Sequence, residues 1–333
     1  MKGKSMATVP ALRYALGFIR CVLAGRVMEH VWPECNGNDD CRHGGPYTGS
    51  PEAATSVSWK RARQATRFRD RVLPVIELTF LGTGTSTGVP VIGCDCEVCT
   101  STDPRDARLR SSVLVRTREA TILIDTSPDL RAQMLATRPD RIDAVLYTHA
   151  HADHTAGLDE LRRFNVMQDA RIPVWATRET ANDLEMRVSF AFDHTFSFFG
   201  GKPDLVLHLI DSAAPFVAAG VEITPIPINH GRMPIIGYRI GGFVYVTDVK
   251  TIPEDSRPLM ENADLLVVTA LRQKEHVAHM NLAEAMETIE RHQPKRALLT
   301  HLAHDMGRYA DVAPGLPKHV AIATDGMTVT LDR

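Results

Sequence analysis

Thr148-His149-Ala150-His151-Ala152-Asp153-His154 is the stretch on which the reading of this chain turns. It follows a short apolar run, 144–147, and precedes a helical pattern that starts near Gly157. Three imidazoles and one carboxylate packed this densely are costly to bury unless a cation compensates them. His149 and His151 are two apart, so an extended backbone points both to one side. Asp153 and His154 fall where the chain turns toward the helix, a geometry that splits ligands between two adjacent cations. Neutral imidazole and carboxylate suit Zn, Mn or Fe. A solvated polar loop has no need of this donor density directly behind a buried strand.

Outward from that loop, strand-length β-branched runs punctuated by turns occupy 76–81, 112–116, 121–125 and 144–147. Further runs follow at 221–228, 237–240, 243–247, 265–269, 297–300, 320–323 and 327–331. Helical periodicity marks 158–164, 178–188 and 282–292. In the last, Leu282, Ala285, Met286 and Ile289 form an apolar stripe, with Glu284, Glu287 and Arg291 opposite. Asn281 and Glu284 have the spacing of a capping box. Two strand-rich halves, each with helices, predict an α/β fold of two stacked sheets with helices outside.

The pattern HxHxDH resembles the signature of the metallo-β-lactamase superfamily, whose fold is an αββα sandwich. The resemblance directs attention to three later residues, each ending an apolar run: His230 in Pro227-Ile228-Asn229-His230-Gly231, Asp248 after Tyr245-Val246-Thr247, and His301 after Leu298-Leu299-Thr300. A single such residue at a strand end is ordinarily a cap or turn residue. Together, in this order, they imply that His149, His151 and His230 hold one metal and that Asp153, His154 and His301 hold a second. Asp248 then bridges the two. Asp125, at the end of 121–125, is expected to support the metal loop from behind rather than ligate.

Gly93-Cys94-Asp95-Cys96-Glu97-Val98-Cys99 places three thiols close together. A fourth ligand would close a tetrahedral zinc site, and His304 is the natural candidate. The order of Leu81-Gly82-Thr83-Gly84-Thr85-Ser86-Thr87-Gly88-Val89-Pro90, the cysteine cluster, HxHxDH and Thr300-His301-Leu302-Ala303-His304 resembles the PhnP-like phosphoribosyl cyclic phosphodiesterases over about residues 76–333. That resemblance implies a structural zinc at the cysteines and a catalytic pair of divalent metals, Zn or Mn. The metals would share a hydroxide that attacks a small cyclic phosphate ester. It further implies that His279 assists the leaving group, with Asp153 beside it as a catalytic group. His276 is a weaker candidate, Arg162 or Arg163 could face phosphate, and nothing beyond its position supports His194. The glycine run does not read as a dinucleotide loop, because Pro90, Gly93 and three cysteines follow where a helix should begin.

The chain has 333 residues, 44% of them hydrophobic, enough for a sizeable core. Residues 1–74 read as an extension with a linker-like composition at 35–56 and a basic run at 60–71, and residues 75–333 as the hydrolase domain. Arg13, Arg20 and Arg26 interrupt the apolar N-terminal stretch, so a cytoplasmic protein is expected. No uninterrupted apolar run is long enough to span a bilayer. A net charge of -2 gives no reason to expect nucleic acid as partner. A small phosphate ester is the expected substrate, and a homodimer stays open. Two competing readings are a tRNA 3′-end processing endonuclease and a non-catalytic relative of the metallo-β-lactamase-fold protein of pyrroloquinoline quinone biosynthesis. The 75 residues between His154 and His230 carry no dense basic patch, which argues against the first. The intact HxHxDH argues against the second.

Overall fold

A computed structural model describes residues 76–195, 201–211 and 213–331. The reading of 1–74 as an extension lies outside these residues. The first sheet is built from β1 (Ile76–Gly82), β2 (Ser112–Arg116), β3 (Thr121–Ile124), β4 (Ala144–Leu146), β5 (Ile172–Thr177), β6 (Leu205–Ile210) and the last strand, β14 (Thr328–Leu331), in the order β14-β1-β2-β3-β4-β5-β6. The second contains β7 (Phe216–Ala218), β8 (Val221–His230), β9 (Met233–Ile240), β10 (Phe243–Val246), β11 (Leu265–Thr269), β12 (Arg296–Thr300) and β13 (Val320–Ile322), in the order β13-β12-β11-β10-β9-β8-β7. Each sheet is part antiparallel, through its hairpins, and part parallel, where helices connect its strands.

Strand residues alternate between two cores, which is why these strands read as continuous apolar runs. Val113, Val115, Ile122 and Ile124 face Tyr238, Phe243, Tyr245 and Val267 between the sheets. Leu114, Leu123 and Val145 face outward onto helices α1 (Leu130–Thr137), α3 (Arg162–Gln168) and α4 (Arg178–Val188), through Leu130, Phe164 and Leu184. On the other side, Val244, Leu266 and Leu299 pack against Ala285 and Ile289 of α5 (Leu282–His292). The αββα sandwich is thus the observed architecture. The capping box of α5 is present in full, Asn281 accepting from the Glu284 amide and Glu284 accepting from the Asn281 amide.

Two helical readings shift at their edges. The pattern expected over 158–164 opens as a 3-10 turn, Leu158–Leu161, before α3 begins. A four-residue helix, α2 (Ala152–Thr155), already carries the second half of the histidine motif. The glycine run has a packing role: a Cβ at Gly82 would lie 2.0 Å from the Arg110 carbonyl, and one at Gly84 2.9 Å from Arg108 Cβ. Glycine lets this segment press against residues 108–110, and no helix N-terminus lies beneath it.

Candidate metal centre

The site forms where strand ends of both sheets meet. Asp125 and His301 directly follow β3 and β12, and Asp248 comes two residues after the end of β10, with φ of 62°, 58° and 59°. This left-handed conformation costs an L-residue about 1–2 kcal/mol. It turns each side chain sharply off its strand, and the surrounding hydrogen bonds hold it there. The Asp248 amide donates to Thr269 Oγ1 at 2.6 Å, and Thr247 Oγ1 donates to Asp248 Oδ2 at 2.7 Å. The histidine loop is held from the opposite sheet, where Tyr238 Oη donates to the Tyr147 carbonyl at 2.6 Å and the Ile236 amide to the Thr148 carbonyl at 3.2 Å.

The residues singled out by sequence converge. One ligand atom from each of His149, His151 and His230 lies within 4.8 Å of the others, and the same holds for Asp153, His154, Asp248 and His301. A third such group, His230, Asp248 and His279, links one ligand of each set. His149, His154, Asp248 and His301 are buried, while His151 is exposed and marks the open side.

Spacings fit cations. Two nitrogens on a tetrahedral zinc stand about 3.3 Å apart. His149 Nε2 and His151 Nδ1 are 3.0 Å apart. His154 Nε2 lies 3.2 Å from both Asp153 Oδ2 and Asp248 Oδ2, and His301 Nε2 lies 3.1 Å from Asp248 Oδ1. His154 Nε2 is buried with no hydrogen-bond partner, an orphaned atom aimed at the space a cation would take.

The far nitrogens are occupied, which orients the rings. His230 Nδ1 donates to the Ala278 carbonyl at 2.8 Å. His154 Nδ1 meets Asp125 Oδ2 at 2.7 Å, and Asp125 also accepts from the Thr148 amide and hydroxyl, each at 2.8 Å. Thr148 Oγ1 in turn lies 3.0 Å from His149 Nδ1. Asp125 therefore steadies one histidine of each half-site.

Charge is strongly coupled here. Burial opposes ionisation of Asp248 and of Asp153, yet the neighbouring imidazoles carry both carboxyls below their ordinary range. Burial likewise opposes a charge on His154, and Asp248 with Asp125 overcomes it, raising the ring well above 6.5. His279 goes the other way: burial lowers it to about 3 despite Asp248 nearby. Its Nδ1 is buried without a partner, 3.7 Å from Asp248 Oδ1, and its ring stacks on His301 at 5.0 Å between centroids.

Cys94, Cys96, Cys99 and His304 form a second compact set. His304 Nδ1 stands 3.3, 3.4 and 3.4 Å from the three sulfurs, against about 3.5 Å expected for S and N ligands on one zinc. The Cys99 amide holds the Cys96 thiol down to about 6, and burial pushes Cys99 up to about 11.

Other candidates lie apart. Arg162 pairs with Asp159 on an exposed surface, and Arg163 is exposed beside it. His194 pairs with Asp204. His276 accepts from the Ala278 amide at 3.2 Å, its ring 5.1 Å from His279. Sequence reasoning missed Thr85 and Ser111, which flank His301, and Arg187, which reaches from α4 to the Ala150 carbonyl at 2.7 Å and Thr155 Oγ1 at 3.1 Å. The glycine-rich run was the one available signal for Thr85.

The family described as "Beta-lactamase superfamily domain" matches residues 120–302. An octanoyltransferase of Porphyromonas gingivalis is 37% identical over 255 residues, 76% of this chain and 51% of that protein. The chain thus spans about half the length of that relative. The crystal structure of a diphosphatase from the PhnP family is 36% identical, covering 77% of this chain and 97% of that one, with a TM-score of 0.71. Zinc-bound PqqB from Methylobacterium extorquens, 20% identical over 77% of this chain and 100% of its own, shares the fold at a TM-score of 0.63.

Proposed function

As a member of the metallo-β-lactamase superfamily and of its PhnP family, the chain is a metal-dependent hydrolase, and we propose that it cuts a phosphoester in a small phosphate-bearing molecule. The observation that carries this reading is the pair of adjacent donor sets, linked by a third group of His230, Asp248 and His279 and open to solvent at His151. His149, His151 and His230 would hold one cation and Asp153, His154 and His301 the other, with Asp248 between them. Cys94, Cys96, Cys99 and His304 would hold a structural zinc. Bound in the histidine site, the two cations would supply a nucleophile at neutral pH and offset charge on the phosphoryl oxygens.

The chain's own residues do the rest. Asp125 and the Ala278 carbonyl orient the imidazoles, so no ring must reorganise during reaction. His279, grouped with His230 and Asp248 and with one buried ring nitrogen free of partners among the described residues, is placed to hydrogen-bond the departing oxygen. The described residues between His154 and His230 build α3, β5, α4, β6, β7 and β8 of the sandwich and present no extended arm, which supports a small substrate over tRNA. Among the described residues no helix is long and apolar enough to cross a membrane.

A second reading, hydrolysis of a diphosphate, is favoured by the 36% identical neighbour described as a diphosphatase. Purified protein loaded with Mn or Zn, tested on bis(p-nitrophenyl) phosphate, a ribose cyclic phosphate and a nucleoside diphosphate, separates the two. His151→Ala is the control: hydrolysis should vanish in it, and equal activity would refute the assignment.

A further inference from the structure

Thr85 sits in the glycine-rich segment after β1, only 8% exposed, with Ser86 and Thr87 beside it in solvent. Its amide donates to the Leu302 carbonyl at 3.1 Å, which ties it to the residue after His301. Its hydroxyl oxygen lies 3.2 Å from His301 Nε2 and, among the described residues, has no other hydrogen-bond partner. The opposite nitrogen of that ring, Nδ1, is 3.3 Å from Ser111 Oγ, and Ser111 donates its own proton to the Gly84 carbonyl at 2.9 Å. A serine hydroxyl has one proton, so Ser111 can only accept from His301 Nδ1–H. The ring proton is therefore on Nδ1, and the lone pair on Nε2 points at Asp248 and Thr85.

A cation held by Asp153, His154, Asp248 and His301 would take that lone pair. Thr85 then keeps a hydroxyl proton that nothing on the described chain accepts, in a nearly dry position against the site. Burying an unpaired donor is costly unless an incoming group accepts from it. We propose that Thr85 is a substrate-contacting residue that donates its hydroxyl proton to a phosphoryl oxygen of the bound ester. The inference deepens the phosphoester reading above and rests on it.

The test measures inorganic phosphate binding to the metal-loaded full chain by calorimetry, with KM, kcat and metal content for the same samples. Thr85→Val removes the hydroxyl and keeps the shape; Thr85→Ala also removes the hydroxyl, with the γ-methyl, and serves should the first fail to accumulate. Either should weaken phosphate binding and raise KM by about ten- to a hundredfold, the size of one hydrogen bond to a charged acceptor. Metal content should not change, and Thr85→Ser should recover most of the loss. Unchanged phosphate affinity in an active enzyme overturns the role of Thr85 alone. Loss of one cation from Thr85→Val overturns it too, because the hydroxyl would then serve the metal and not the substrate. A native chain that cleaves no phosphoester and binds no phosphate refutes the underlying reading and this inference with it.

Discussion

Replacing Asp125 by Asn should loosen both halves of the metal centre at once. Asp125 is fully buried, and its two oxygens accept from three donors: the Thr148 amide on Oδ1, and the Thr148 hydroxyl and His154 Nδ1 on Oδ2. A carboxylate offers acceptors alone, whereas a carboxamide carries an NH2 group. With that group in the place of Oδ1 it opposes the Thr148 amide. In the place of Oδ2 it opposes His154, and the Thr148 hydroxyl must turn away from it. Neither orientation satisfies the set, and one buried donor without an acceptor costs about 1–3 kcal/mol. The Thr148 hydroxyl also orients His149, so the disturbance reaches the other half-site. Outer partners of metal-binding histidines typically account for 10–100-fold in affinity, about 1.4–2.7 kcal/mol, which agrees with the hydrogen-bond figure. Competition with a chelator should show two ions leaving Asp125→Asn at about 10–100-fold lower chelator concentration, while the zinc at the cysteines stays put. Identical release curves for variant and native chain would refute the reasoning.

Cys96→Ser should cost one zinc per chain and lower the melting temperature, since a structural zinc contributes directly to folding; unchanged zinc content would remove His304 and the cysteines from that role. His154 supplies a pH prediction. Its folded pKa is raised, so it stabilises the metal-free fold fully below pH 6.5, and that contribution fades as pH rises through the folded value. A cation needs the neutral ring, so metal uptake at pH 7 must expel this proton. Calorimetric titration in two buffers of different ionisation enthalpy should report the release, and identical heats would contradict it. Arg187→Met removes a clamp from both ends of the histidine loop; because Arg187 is partly exposed, the loss should be about 1 kcal/mol, or about 2–4 °C in melting temperature, and no shift would make the contact incidental.

Much of the fold was legible because its strands are buried on both faces and bounded by turns; Ser112–Arg116 and Leu265–Thr269 match their sequence patterns residue for residue. Three strands were not. In β5, Pro173 reads as a strand breaker, yet the ladder to β4 starts only at Val174, so the missing N–H is not needed on that side. The edge strand β6 has partly exposed residues and β7 is three residues long, so neither carries a clear alternation. Helix α1 escaped because one of its buried positions is Gln133, satisfied by the Arg110 carbonyl and Ser127. The donor residues were legible as chemistry at strand ends. The left-handed backbone at Asp125, Asp248 and His301, and the partners Ser111 and Arg187, were not, and Thr85 was marked only by its glycine-rich run, because those contacts join residues as much as 216 apart.

The whole reading depends on two cations held by His149, His151, Asp153, His154, His230, Asp248 and His301, beside a third at the cysteines. Elemental analysis of the purified chain against a His149→Ala, His301→Ala double variant addresses this in a single measurement. Three divalent ions per native chain and one per variant are predicted, the survivor being zinc. One ion or fewer in the native chain, or an unchanged count in the variant, would contradict it.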